Sequence, residues 1–117
     1  LATHLAKLGL ASEIVDITPI AGLLHLKTGI SYLGEGRMAV APELVGLPCL
    51  KRYETVVLAP EEAYAANCIR VNDTVLIAAG YPRFAEALDR LGYRTLALEM
   101  SEFRKMDGGL SCLSLRF

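Results

Sequence analysis

Two stretches of this chain are near copies in character: Leu5-Ala6-Lys7-Leu8-Gly9-Leu10 and Leu88-Asp89-Arg90-Leu91-Gly92-Tyr93. Each reads as the end of an amphipathic helix. Leu1, Leu5 and Leu8 recur at helical spacing, as do Phe84, Leu88 and Leu91. Gly9 and Gly92 then stop the two runs. Pro82 opens the second helix, where its missing N–H has no intrahelical partner to lose. A short strand is expected after each helix, over residues 12–17 and over 93–98. A third helix-then-strand step lies between them. There Pro42-Glu43-Leu44-Val45 reads as a short helical turn and 53–58 as a strand.

Hairpins precede these steps. One runs 29–34 then 37–41 and turns at Glu35-Gly36; the other runs 67–71 then 74–79 and turns at Asn72-Asp73. The repeated unit is therefore strand, strand, helix, strand, with a period of about 40 residues. Such a unit cannot bury its faces alone, and radial or stacked repetition solves that problem. An ordinary mixed sheet with helices on one side fits the same pattern. With 117 residues and no linker-like tract, one α/β domain spanning 1–117 is expected. Its ends cut across repeat units, and Leu1 already lies within a helical pattern, which reads as a piece of a longer protein.

Composition excludes some functions. Hydrophobic residues make up 53% of the chain, which suggests buried strands or a surface that a partner covers. No apolar stretch approaches the roughly 20 residues needed to span a bilayer, and no leader-like segment is evident. A net charge of −1 with mixed signs gives no surface for nucleic-acid phosphates. Cys49, Cys68 and Cys112 are an odd set without metal-like spacing, which reads as free thiols in a reducing, cytoplasmic compartment. No phosphate-loop or dinucleotide motif occurs, and two distant histidines make no zinc pattern, so neither metal nor cofactor is expected.

The chemistry-bearing residues are few. Cys112 follows Gly108-Gly109 and lies between Ser111 and Ser114. Free cysteines are commonly buried packing residues, and Cys49 and Cys68 read that way. Cys112 sits instead in a polar setting, beside glycines that permit close approach of a ligand. A strand is expected from there to Phe117. His25, in Leu24-His25-Leu26-Lys27-Thr28, falls at an element junction where functional side chains are often presented. His4, on the first helix, reads as a helix-surface residue. Cysteine and histidine together suggest covalent catalysis with a proton shuttle. A guanidinium-like substrate would also need a carboxylate. Glu35, Glu43, Glu61, Glu62, Asp73, Glu99 and Glu102 read mostly as turn or helix-surface residues, and Asp107 beside the glycines reads first as a turn former. The residues alone thus supply a nucleophile and a base but no convincing substrate clamp.

Four segments carry a resemblance. They are Leu24-His25-Leu26-Lys27-Thr28-Gly29; Glu62-Ala63-Tyr64-Ala65-Ala66-Asn67-Cys68-Ile69; Ala79-Gly80-Tyr81-Pro82-Arg83; and Ser101 through Cys112. In these, nearly the whole chain resembles the C-terminal half of the dimethylarginine dimethylaminohydrolase family. That family lies in the guanidino-group-modifying (pentein) superfamily. The resemblance implies a partial pentein propeller, the later modules of a five-fold arrangement of strand-strand-helix-strand units. It implies that Cys112 attacks the guanidinium carbon of an N-omega-methylated arginine and that His25 shuttles the protons. The backbone carbonyl of Met106 would contact the substrate. The products would be citrulline and methylamine or dimethylamine, formed through a thiouronium adduct on Cys112.

In the family the guanidinium-binding carboxylates lie in the N-terminal half. The resemblance therefore implies that this polypeptide alone is inactive or very weak, and that it works with that half or in self-association. Two other readings stand beside it. An arginine deiminase-like enzyme would release ammonia, although such enzymes typically carry Asp where this chain has Lys27. A non-catalytic half-propeller would serve as an assembly module through its open strand edges.

Overall fold

Each hairpin turns through left-handed backbone. In the computed structural model, which describes residues 1–115, Glu35 and Gly36 have φ of 54° and 75°, and Asn72 has φ of 53°. Glycine and asparagine adopt this region at low cost, which is why these tips reverse the chain. The first tip joins β1 (Ile30–Gly34) to β2 (Arg37–Val40), antiparallel, with Ile30 opposite Val40 and Tyr32 opposite Met38. β3 (Glu54–Val57) then pairs parallel to β2. The second tip joins β4 (Ile69–Val71) to β5 (Thr74–Ala78), antiparallel, and β6 (Arg94–Leu98) pairs parallel to β5. The two three-stranded sheets therefore have the same order and the same strand senses, as the repeat predicts.

The crossovers differ. In the second unit α3 (Pro82–Arg90) makes the connection, burying Phe84 and Leu88. In the first, two 3-10 turns, Pro42–Leu44 and Pro48–Arg52, stand in its place. Pro42, Gly46 and Pro48 lie within seven residues, and proline cannot donate the bonds a continuous α-helix needs. Between the sheets runs a further 3-10 segment, Pro60–Ala66. Its Glu62, which the sequence suggests is a surface residue, is only 6% exposed. The Glu62 carboxylate accepts the backbone N–H groups of Arg83 (3.1 Å) and Phe84 (2.7 Å), so it caps α3 from another part of the chain.

One core serves both units. Leu33, Ala39 and Ala41 of the first meet Val75, Ile77, Phe84, Leu88 and Tyr93 of the second, with Ala65, Ala66 and Cys68 between them. β1 and β4 adjoin through side chains: Ser31 Oγ accepts the Cys68 N–H (3.1 Å), and Arg70 donates to the Leu33 carbonyl (2.7 Å). A second cluster, Ile69, Ala78, Met100 and Leu110, lies beneath the segment that carries Cys112.

Two expected strands do not form. Residues 10–17 follow α1 (Ala2–Lys7) as irregular chain, with Ile14 94% exposed. A strand is stabilised by its ladder, and no neighbouring strand lies beside this segment among the described residues. The expected strand to Phe117 is likewise absent over 113–115, and Arg116 and Phe117 lie outside the described residues. Among the described residues no helix is long and apolar enough to cross a membrane.

Candidate active site

The Cys112 turn is built from its flanks inward. α4 (Ser101–Arg104) ends in a tight turn in which Met106 and Gly108 both donate to the Phe103 carbonyl (3.1 and 2.9 Å). Asp107 is left-handed there, with φ of 56°. Its side chain is exposed, in keeping with a turn-forming role. Gly109 then starts a second turn, its carbonyl accepting the N–H groups of Cys112 (3.0 Å) and Leu113 (3.2 Å).

The Pro60–Ala66 segment and Asn67 hold this loop from below. Tyr64 donates its hydroxyl to the Gly108 carbonyl at 2.7 Å. Burial, followed by the charge of Tyr81, pushes the Tyr64 phenol up, so it remains a donor. Arg104 lies 5.0 Å over the Tyr64 ring and donates to the Tyr81 hydroxyl at 2.8 Å. Asn67, 3% exposed, accepts the Ser111 N–H on Oδ1 at 2.9 Å.

Cys112 itself is exposed, whereas Cys68 is buried. The two thiols are tuned in opposite directions. Burial pushes Cys68 up to about 12. Cys112 is held below the ordinary thiol value, chiefly by backbone hydrogen bonding at Gly109. Partial burial opposes that effect, and the Lys27 charge, the Asn67 amide and the Ser111 hydroxyl each lower it further. The Ser111 Oγ is buried and has no hydrogen-bond partner among the described residues.

His25 occupies the N-cap of the short helix α2 (Leu26–Gly29), in extended backbone with φ of −142°. α2 packs on the Pro60–Ala66 segment. It is fixed there by Gly29, whose missing side chain admits Leu44, Ala41 and Leu23, and whose carbonyl accepts the Ala41 N–H at 2.7 Å. Lys27, the second residue of α2, is the residue whose charge reaches Cys112. The start of α2 and the Cys112 loop are therefore mounted on one support, with Asn67 at its end. His25, like Cys112, is exposed, and Met106 is 85% exposed on the same loop. The only buried charged side chain among the described residues is Glu62, and α3 occupies both its oxygens. Hence the Cys112 thiol and the Lys27 cation lie near one another, with His25 at the head of the same helix as Lys27, and no buried carboxylate is free among the described residues. Asn67 escapes the residue-by-residue reading, because a polar residue before a strand looks like any turn residue.

The chain matches no protein-family model. It is 46% identical over 113 residues to the N(G),N(G)-dimethylarginine dimethylaminohydrolase of Pseudomonas aeruginosa, covering 97% of this chain and 43% of that protein. It is 31% identical over 107 residues to that of Streptomyces coelicolor, covering 92% of this chain and 40% of the relative. The structure superposes on the Pseudomonas aeruginosa enzyme, a cysteine-to-serine variant complexed with citrulline, with a TM-score of 0.92 and 44% identity. That match covers 99% of this chain and 44% of the other. A dimethylarginine dimethylaminohydrolase histidine-to-glycine variant, an adduct with S-methyl-L-thiocitrulline, gives the same values. The N-terminal domain of a cyanobacterial arginine dihydrolase shares the fold at 23% identity, with a TM-score of 0.69 over 79% of this chain and 37% of that one.

Paired strand-strand-helix-strand units of this kind place the chain in the guanidino-group-modifying, or pentein, superfamily. Within it, the chain belongs to the dimethylarginine dimethylaminohydrolase family. It spans 43% and 40% of the length of the two curated relatives.

Proposed function

We propose that this chain forms the catalytic C-terminal part of a hydrolase that converts N-omega-methylated arginine to citrulline and methylamine or dimethylamine. The observation that carries the reading is the exposed, thiolate-favouring Cys112 on a loop that shares its support with the helix headed by His25. The Cys112 thiolate attacks the guanidinium carbon and forms a C–S bond. The methylated amine leaves with a proton delivered by His25, and a thiouronium remains on sulfur. His25 then takes a proton from water, whose oxygen attacks the same carbon. The C–S bond breaks, citrulline departs and the thiolate is restored. The bound cation adds to the local preference for thiolate, and the exposed Met106 loop offers its backbone carbonyl to the substrate.

The chain supplies the later modules of a five-module propeller in this reading, as a single partial domain over 1–117. The open position of Cys112 and His25, and the absence of a free buried carboxylate among the described residues, support a substrate clamp contributed from elsewhere. Without it a guanidinium is poorly positioned, and positioning accounts for much of the rate. The isolated chain is therefore silent or very weak.

The test is covalent labelling with an amidine that mimics methylated arginine, read by intact mass. Selective labelling of Cys112, blocked by methylated arginine and lost in His25→Ala, is expected once the substrate clamp is present. Labelling no faster than at Cys49 and Cys68 in that assembly overturns the reading and leaves a structural module. Product analysis separates the chemistries, since dimethylamine marks this enzyme and ammonia an arginine deiminase-like one. With iodoacetamide the Cys112 rate persists below the ordinary thiol pKa, because a lowered pKa keeps thiolate present at lower pH. Cys68 should stay unreactive over the same range, because it is buried and burial pushes its thiol up.

A further inference from the structure

The Asn67 carboxamide is nearly sealed from solvent, at 3% exposure, and it is not a neutral filler. A buried amide is costly unless both of its ends are satisfied. Which end points where is settled by chemistry. The Ser111 N–H can only donate, so the atom 2.9 Å away must be Oδ1. The NH2 end is thereby turned outward, and its partner among the described residues is Cys112 Sγ, at 4.0 Å. Gly109 closes the arrangement from the other side, since a Cβ there would overlap the Asn67 carboxamide. Tyr64, three residues earlier, grips the carbonyl of Gly108. The loop is thus held on both sides of Gly109, by a hydroxyl on one carbonyl and an amide oxygen on one N–H.

We propose that Asn67 is the positioning residue of the nucleophile: its Oδ1 fixes the loop through Ser111, and its NH2 group orients and stabilises the Cys112 thiolate. The inference rests on the reading of Cys112 as nucleophile, and it adds a residue that acts through Cys112 without touching substrate. It also gives the paired glycines a role. Gly109 is required because the amide occupies the space a side chain would fill, and a Cβ at Gly108 would press on the Phe103 carbonyl at 3.0 Å. Other titratable or charged groups facing this sulfur are Lys27 from α2, which His25 heads, and Tyr64 from the supporting segment. Arg104 of α4 covers the Tyr64 ring, and Asp107 belongs to the same loop.

The decisive variant is Asn67→Asp. It keeps the volume and the acceptor for Ser111, but replaces the donor facing sulfur with an anionic oxygen. The readout is the pH dependence of Cys112 alkylation by iodoacetamide, followed by mass spectrometry in this chain, with circular dichroism as a check on folding. The midpoint should rise by about one unit or more, so the rate at pH values below both midpoints should fall about tenfold or more. Gly109→Ala displaces the same amide without altering Asn67 and should shift the midpoint in the same direction. It serves if Asn67→Asp does not fold. A folded Asn67→Asp or Gly109→Ala variant with the midpoint of the unaltered chain overturns the proposal; Gly109→Ala adds no charge, so its shift reports the displaced amide and not the repulsion an aspartate would itself exert on the thiolate. Failure of the nucleophile reading looks different: the iodoacetamide shift persists, while the amidine shows no preference for Cys112.

Discussion

The segments 1–17 and 82–98 begin from nearly the same sequence pattern and end in different structures. Both form a helix stopped by a left-handed glycine, Gly9 with φ of 72° and Gly92 with φ of 83°. In α3 the apolar stripe is buried, with Phe84 3% exposed and Leu88 fully covered. In α1 no residue is buried, and Leu1 and Leu8 are 94% and 74% exposed. After Gly92 the chain enters β6 beside β5; after Gly9 it stays irregular. Helix and stop signal are local and appear twice. Burial and strand pairing need a neighbour, and α3 and β6 have the core and β5. This is the general order of strength: propensity and capping set where a helix can be, but tertiary packing supplies most of its stability.

The contrast can be broken most strongly at the buried stripe. Leu88→Ala should cost about 2–5 kcal/mol in urea denaturation, whereas Leu8→Ala should change stability by less than about 0.5 kcal/mol. Equal losses would mean that α1 is packed after all. Next in size is the remote cap. Glu62→Gln removes a charged acceptor from two N–H groups at the start of α3, one of them buried, and should cost about 1–2 kcal/mol. Faster hydrogen exchange at Arg83 and Phe84, with α1 amides unaffected, would locate the loss.

The stop signals should behave differently from each other. Gly92→Ala forces a left-handed alanine and should destabilise the fold by about 1–2 kcal/mol. Gly9→Ala carries the same local strain but should appear only as extra fraying of α1 in hydrogen exchange, because little else depends on that helix. The smallest effect is expected from Leu1→Ser, which gives α1 the side-chain cap it lacks. It should raise α1 protection by about 0.5–1 kcal/mol without moving the global unfolding midpoint.

Much of the fold is legible in the residues. Glu35-Gly36 and Asn72-Asp73 mark the hairpins, and the alternating runs around them become β1, β2, β4 and β5 close to the expected bounds. Pro82 and Gly92 bracket α3. Glu62 is not legible, because a glutamate early in a helical segment looks like a solvated one until α3 is folded over it. The site is partly legible. Cys112 and His25 stand out by type and setting. Asn67 does not, since its two partners, Ser111 and Cys112, lie more than forty residues away in sequence.

By itself the sequence determined the repeat, the hairpin tips, the helix stops and the candidate nucleophile and base, because each is written in spacing and in residue chemistry that acts over a few neighbours. Only the tertiary structure decided which of two like segments became a buried helix and paired strand. It also decided which carboxylate caps a distant helix, and which amide faces the sulfur. Those outcomes depend on atoms brought together from remote parts of the chain, where a ladder partner, a dry environment or a hydrogen-bond donor exists only after folding.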